Sequence, residues 1–287
     1  MDQATISQIR QSHQVLKEFQ YDLHPVVHGY ANRTLHINLD FNTVTIKPVD
    51  QKMKDTFTGG KGFCLWLLWN AITGDTKWDD PQNELVVAGG PIGGITSYPG
   101  SGKCTVVTLS PLTKSIIDSN GGGYFGPYLK FSGFDALEVQ GKASEDVIIL
   151  IDGDKGLVTI EAAPLDEVNT HILSKELTSL YGGDTDKGKR AITVMSAGRA
   201  AEHVPMCGLN ISYWDPRRQE IRIKQAARGG AGTVLRNKRI KAIVVKYSET
   251  GGDSNGAANL DLIHAAGKRI NKEISEFDAS QNDMRHF

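Results

Sequence analysis

Two stretches of the chain place residues without a β-carbon beside polar and cationic side chains: SNGGGYFGPYLKFSGFDALEVQGKA at 119–143 and AARGGAGTVLRNKRIKAIVV at 226–245. Where Cβ atoms are missing, backbone N–H and C=O groups can come within hydrogen-bonding distance of a flat or phosphorylated molecule. Lys130 and Arg228 within these stretches and Lys224 just before the second add positive charge. The combination points to a large anionic cofactor. Each stretch forms a candidate cradle. The competing reading is a pair of glycine-rich turns between strands.

Other reactive side chains form no pattern of their own. His24 and His28 are four apart, but Pro25 between them argues against a shared helix face, and His36, His171, His203, His264 and His286 stand apart. Cys64, Cys104 and Cys207 contain no C-x-x-C pair, so neither a zinc site nor an iron–sulfur motif can be read from them; three buried thiols are expected. The basic run RNKRIK at 236–241 lacks interleaved aromatics and reads as a solvated approach to a strand, with no nucleic acid implied. Trp66 and Trp69, with Leu65 and Leu68, read as core or interface, and Tyr124 and Phe125 as either a cofactor cover or core.

Taken with TGGKGFCLWLLWNA at 58–71 and GGPIGGITSYPGSGKCTVVTLSPLT at 89–113, the two cradles resemble the N-terminal domain of the aldehyde ferredoxin oxidoreductase family, the tungsten or molybdenum bis-pyranopterin enzymes, from about Arg33 to about Lys246. The resemblance implies that Lys103 and Lys224 stand where arginines grip pterin phosphates. It implies that Asn120 and Gln225 lend backbone carbonyls to a magnesium ion bridging those phosphates, and that Gly122 meets the cofactor through its backbone. Gly121, Ala227, Arg228 and Gly229 complete the implied contacts. Lysine in place of arginine keeps the charge and loses the bidentate fork. The family also carries an iron–sulfur cluster, whose ligands belong to further helical domains and are not among these residues. The activity implied is aldehyde oxidation to carboxylate with a ferredoxin-type electron carrier. The alternatives are reduction of an aromatic acyl-thioester, or a non-catalytic pterin-binding or assembly module. The expected partner is the chain or domain carrying the rest of the enzyme, and an oligomer is expected.

Composition and length permit this. With 287 residues and 39% hydrophobic content the chain can bury a core, and 32 basic against 33 acidic residues leave no global field for nucleic acid or an anionic membrane. Glycine, 31 of 287, exceeds its usual share of about 7%, and the excess falls in the quoted stretches. No apolar run nears the roughly 20 residues that span a bilayer and no signal peptide is legible, so the expected location is cytoplasmic.

The elements that must position the cradles read as α+β: two mixed or antiparallel β-sheets with a few helices and a hint of internal duplication. Ile6, Ile9, Leu16 and Phe19 predict a helix over 4–20 within an N-terminal helical extension, 1–32. The cradling domain is expected over 33–247. It holds a hairpin at 34–48, a helix at 61–71 opening on Gly59 and Gly60 as a phosphate seat, and a helix at 166–181. Strands are expected at 84–89, 104–110, 136–141, 146–152, 156–161, 190–196, 208–214 and 241–247. Residues 248–287 read as a linker and the start of a truncated or separately encoded helical domain, with Leu262, Ile263, Ile270, Ile274 and Phe277 as its apolar positions.

Overall fold

The computed structural model describes residues 3–163, 169–249 and 254–276, with side chains from residue 8. The side chain of Ile6, residues 166–168 of the expected helix, 250–253 of the expected linker, Phe277 and His286 lie outside the described residues.

A helix α1 (Gln3–Ser12) and a strand β1 (Gln14–Gln20) come first. Then follow β2 (Arg33–Asn38), β3 (Thr43–Pro48), α2 (Gln51–Thr56), α3 (Lys61–Ala71), β4 (Leu85–Ala88), β5 (Cys104–Leu109), β6 (Ile116–Gly121), α4 (Phe125–Phe131) and β7 (Ala136–Gln140). The next run is β8 (Val147–Asp152), β9 (Leu157–Ala162), α5 (Thr170–Gly182), α6 (Asp186–Arg190), β10 (Ile192–Ser196), β11 (Leu209–Asp215), β12 (Glu220–Ala226), α7 (Ala231–Asn237) and β13 (Ile240–Lys246). Helix α8 (Leu260–Glu276) is the last.

These two runs are the same device used twice. Each is a hairpin, a covering helical segment, three antiparallel strands, a short helix, and a strand that returns parallel to the first. The six-stranded sheet has order β3-β2-β7-β4-β5-β6; the seven-stranded one has β1-β9-β8-β13-β10-β11-β12, the same order with β1 added at an edge. In both, the one parallel pair is the first and last strand of the repeat, β2 with β7 and β8 with β13. The sequence hint of duplication is thus present as topology.

Period-two alternation decides how the sheets stack. Leu85, Val87, Val106 and Leu137 face the second sheet's Ile149, Met195, Ile211 and Ile243 across a shared core, while Val86, Ala88, Val107 and Ala136 pack outward under α2 and α3. On the far side Ile148, Leu150, Val194 and Val244 pack under Leu173, Leu177 and Leu180 of α5. Helices α4 and α7 touch strands of both sheets, so each repeat's short helix is wedged between the layers.

Three expectations are corrected. The helix over 4–20 stops at Ser12, because Gln14–Gln20 pairs antiparallel with β9, whose free edge offers hydrogen bonds that local spacing cannot reveal. The run at 236–241 leads into β13 as expected but is only partly solvated: Arg239 is exposed, Arg236 and Asn237 end α7 half-buried, and Lys238 and Lys241 are buried. Trp69 is 75% exposed, so of its two readings, core or interface, the core is ruled out. The helix expected at 166–181 is described from Thr170, with Asn169 accepting from the His171 N–H as its N-cap.

The N-terminal segment is fastened at Glu161 of β9, which accepts from Thr159 (2.7 Å) and Tyr181 (2.8 Å) and lies 3.0 Å from His13 Nδ1. Burial pushes the Glu161 carboxyl up, but the hydrogen bonds from His13, Thr159 and Tyr181 outweigh it and hold it below the usual range. A depressed carboxyl contributes stability above its unfolded pKa and loses it as pH falls through the folded value. Glu161→Gln is therefore expected to destabilise the chain by about 2 kcal/mol near neutrality. In urea titrations at a series of pH values, the gap from wild type should close below about pH 4.

Candidate functional site

The two glycine-rich stretches are the ends of edge strands turning into the wedged helices. In the first sheet Thr105 of β5 lies opposite Asn120 of β6, and Cys104 opposite Gly121, which places Lys103 beside the turn that begins at Gly122. In the second sheet Asn210 of β11 lies opposite Gln225 of β12, and Leu209 opposite Ala226. Asn120 and Gln225 thus hold equivalent places, each one residue before the end of an edge strand.

The strand ends meet at a seam between the sheets. The Arg228 backbone N–H donates to Ser119 Oγ (3.0 Å), and Ser110 Oγ donates to the Gly229 carbonyl (2.6 Å). The approach is close enough that side chains are excluded: a Cβ on Gly121 would stand 2.4 Å from Ile211 Cδ1, and one on Gly229 2.5 Å from Ile117 Cγ1. Gly122 lies against the Lys224 stem, where a Cβ would be 3.6 Å from Cγ. Gly123 takes φ +102°, and a Cβ on Gly102 would stand 2.6 Å from its carbonyl, so the 89–103 loop runs backbone to backbone along the turn.

The predicted site residues therefore gather in one place. Lys103, Asn120, Lys224, Gln225, Ala227 and Arg228 are exposed there, Gly122 and Gly229 are partly so, and Gly121 is buried at the seam. Among the described residues neither Lys103 nor Lys224 forms an ion pair, whereas Lys61 pairs with Asp118 at 2.7 Å. The helix start at Gly60 comes close, 3.8 Å from Thr105 Oγ1 by its would-be Cβ, and Thr105 donates to Asn120 Oδ1. Its Gly60 N–H is already given to the Gly89 carbonyl (2.7 Å). Tyr124 is exposed and stacks on Tyr128 with centroids 5.4 Å apart, while Phe125 is in the core.

Of the thiols, Cys64 and Cys104 are buried, and Cys207, against expectation, is half-exposed because it sits on the loop before β11. Burial raises the Cys64 thiol and pushes Cys104 up to about 12, so both stay protonated. No three metal-ligating side chains converge among the described residues.

Residue-by-residue reading missed the role of Lys130. The residue is 3% exposed, and its ammonium donates to the carbonyls of Pro91 (3.0 Å) and Gly93 (2.8 Å) and to Asn255 Oδ1 (2.7 Å), so α4 grips the loop that leads to Lys103. Burial brings its pKa down to about 8. The only signal in sequence was a lysine in an apolar helical run, GPYLKF. Lys130→Met is expected to cost about 3 kcal/mol of stability, since three oxygens lose a charged donor. Amide hydrogen exchange should accelerate over residues 91–103 first.

With this geometry, similarity to known proteins becomes informative. Residues 34–247 match the family described as "Aldehyde ferredoxin oxidoreductase, N-terminal domain". The tungsten-containing aldehyde ferredoxin oxidoreductase of Pyrococcus furiosus is 32% identical over 225 residues, which are 78% of this chain and 34% of that protein. The aliphatic sulfonate oxidoreductase WOR-like subunit of the same organism is 25% identical over 239 residues, 77% of this chain and 35% of that one. Among solved structures, the active-site complex BamBC of benzoyl coenzyme A reductase with 1,5-dienoyl-CoA superposes with TM-score 0.66 at 26% identity, covering 77% of this chain and 31% of that chain. The chain spans about a third of the length of the curated relatives it matches.

Proposed function

The chain belongs to the aldehyde ferredoxin oxidoreductase family through its N-terminal domain, and on that premise we propose that it is the cofactor-cradling part of a tungsten (or molybdenum) bis-pyranopterin oxidoreductase. The observation that carries the reading is the seam itself. Two topologically equivalent strand ends, opened by glycine and flanked by Lys103 and Lys224 without ion-pair partners, lie side by side. A cofactor with two similar phosphorylated halves is the ligand that two similar cradles suit.

The residues present fit such a group. A Cβ at Gly122 would fill space against Lys224, and its absence leaves the turn's backbone open to a ligand. Lys103, Lys224 and Arg228 neutralise phosphate charge, and the paired positions of Asn120 and Gln225 offer backbone carbonyls, hard oxygens of the kind magnesium takes together with phosphate oxygens. Gly121 and Gly229 keep the seam narrow enough for both cradles to address one molecule, and Ala227 offers a small, exposed position beside Arg228. When bound, the pterin-held metal supplies two-electron oxidation of aldehyde to carboxylate, with ferredoxin-type carriers taking the electrons. The contribution of this chain is positioning and charge, completed by the domains that make up the rest of its relatives.

Charge reversal tests the assignment. Lys103→Glu and Lys224→Glu are each expected to deplete pterin and tungsten in the assembled enzyme while leaving the chain's melting temperature unchanged, because a charge-assisted phosphate bond is worth on the order of 1.5–3 kcal/mol. Lys→Arg at either position should hold the cofactor at least as well, since guanidinium adds the bidentate fork. Full pterin and metal content in both glutamate variants, measured after purification without air, would remove these lysines from the site.

A further inference from the structure

On the outer face of the first sheet, away from the seam, the structure buries charge that the cradle does not use. Glu84 and Glu138 are 1% and 2% exposed and line a cavity of about 410 Å³ roofed by the C-terminal half of α3. Glu138 is satisfied: Oε1 accepts from Thr34 Oγ1 (2.9 Å) and Oε2 from Lys47 Nζ (3.1 Å). Glu84 is not. Its Oε1 lies 3.5 Å from His36 Nε2, and its Oε2 is fully buried with no donor.

The second repeat serves as an internal control. In register, Thr34, His36 and Glu138 correspond to Ile148, Leu150 and Val244, and Glu84, one residue before β4, corresponds to Ile192. All four counterparts are buried and apolar under α5. The fold therefore has no need of polar groups here, and burying two carboxylates where isoleucine and valine would serve is costly. Such groups are kept where they meet something.

We propose that this cavity is a binding site for a small organic cation, an alkylammonium or alkylguanidinium, whose N–H groups donate to Glu84 while its hydrocarbon part lies along Trp66 and Leu67. Charge argues for a cation: Glu84, Glu138 and Asp50 line the cavity against Lys47. Chemistry argues for an organic one, because no three ligating side chains converge among the described residues, and an indole wall favours an ammonium or guanidinium. Burial raises the Glu84 carboxyl, the state expected of a group awaiting a positive partner.

The test titrates the 287-residue chain with n-butylammonium and n-butylguanidinium chloride, read by calorimetry and tryptophan fluorescence, with n-butanol and butyrate as neutral and anionic controls. Saturable binding of a cation and not of the controls is expected. Glu84→Gln should weaken it about tenfold or more, the worth of one charge-assisted hydrogen bond. A second variant copies the other repeat: Thr34→Ile, His36→Leu, Glu84→Ile and Glu138→Val. It should bind no cation and melt at a higher temperature than wild type. Absence of saturable binding, equal binding of n-butanol, or cation affinity unchanged in either variant overturns the proposal.

Discussion

The structure depends on a steric constraint at the seam, where two edge strands end within van der Waals reach of each other. Gly121 faces Ile211 and Gly229 faces Ile117, each closer than any β-carbon could stand, and the Arg228 N–H to Ser119 bond locks the strands at that separation. Because the sheets share one core through Val106, Leu137, Ile211 and Ile243, the seam cannot open without parting that core. Glycine here is a matter of clearance between sheets as much as of access for a ligand. The same residues serve both ends.

Holding the loops that overlook the seam falls to long cations on the wedged helices, and the duplication shows it twice. Lys130 in α4 and Arg236 in α7 occupy matching places, two residues before the C-caps Ser132 and Lys238. Lys130 reaches back to Pro91 and Gly93 after β4, and Arg236 to Glu202 after β10, with Asp146 as its second partner. One repeat uses backbone carbonyls and the other carboxylates, so only the first leaves the cation without a counter-ion. Burial depresses Lys130 accordingly, whereas Arg236 remains ion-paired. Lys238, also buried, donates to the Gly141 carbonyl (3.0 Å) and ties the end of α7 to the first sheet.

The repeats are alike on one face and differ on the other. Their inner faces are alike because both must fill one core. Their outer faces diverge: beneath α5 it is apolar, whereas beneath α3 an apolar cluster adjoins the buried Glu84 and Glu138, since nothing in the topology obliges them to agree. The added β1 is another asymmetry: it covers one edge of the second sheet, while β3 remains the corresponding edge of the first.

The sequence by itself determined the strands whose apolar residues alternate, the bounds of α3 at Lys61 and Ala71, the α+β class, and where the glycine-rich turns fall, because alternation, turn chemistry and missing β-carbons are local properties. It could not place β1, since Leu16 and Phe19 are three apart and suit a helix face until β9 supplies a partner edge. Nor did it reveal β12, of which only Lys224 and Gln225 were singled out, as cradle residues, or that Lys130 and Lys238 turn inward. Only the tertiary structure decided that the two glycine-rich strand ends lie side by side. Asn120 and Gln225 are about a hundred residues apart in the chain, and what joins them is the packing of two sheets on a common core, an interaction between residues that no local pattern couples.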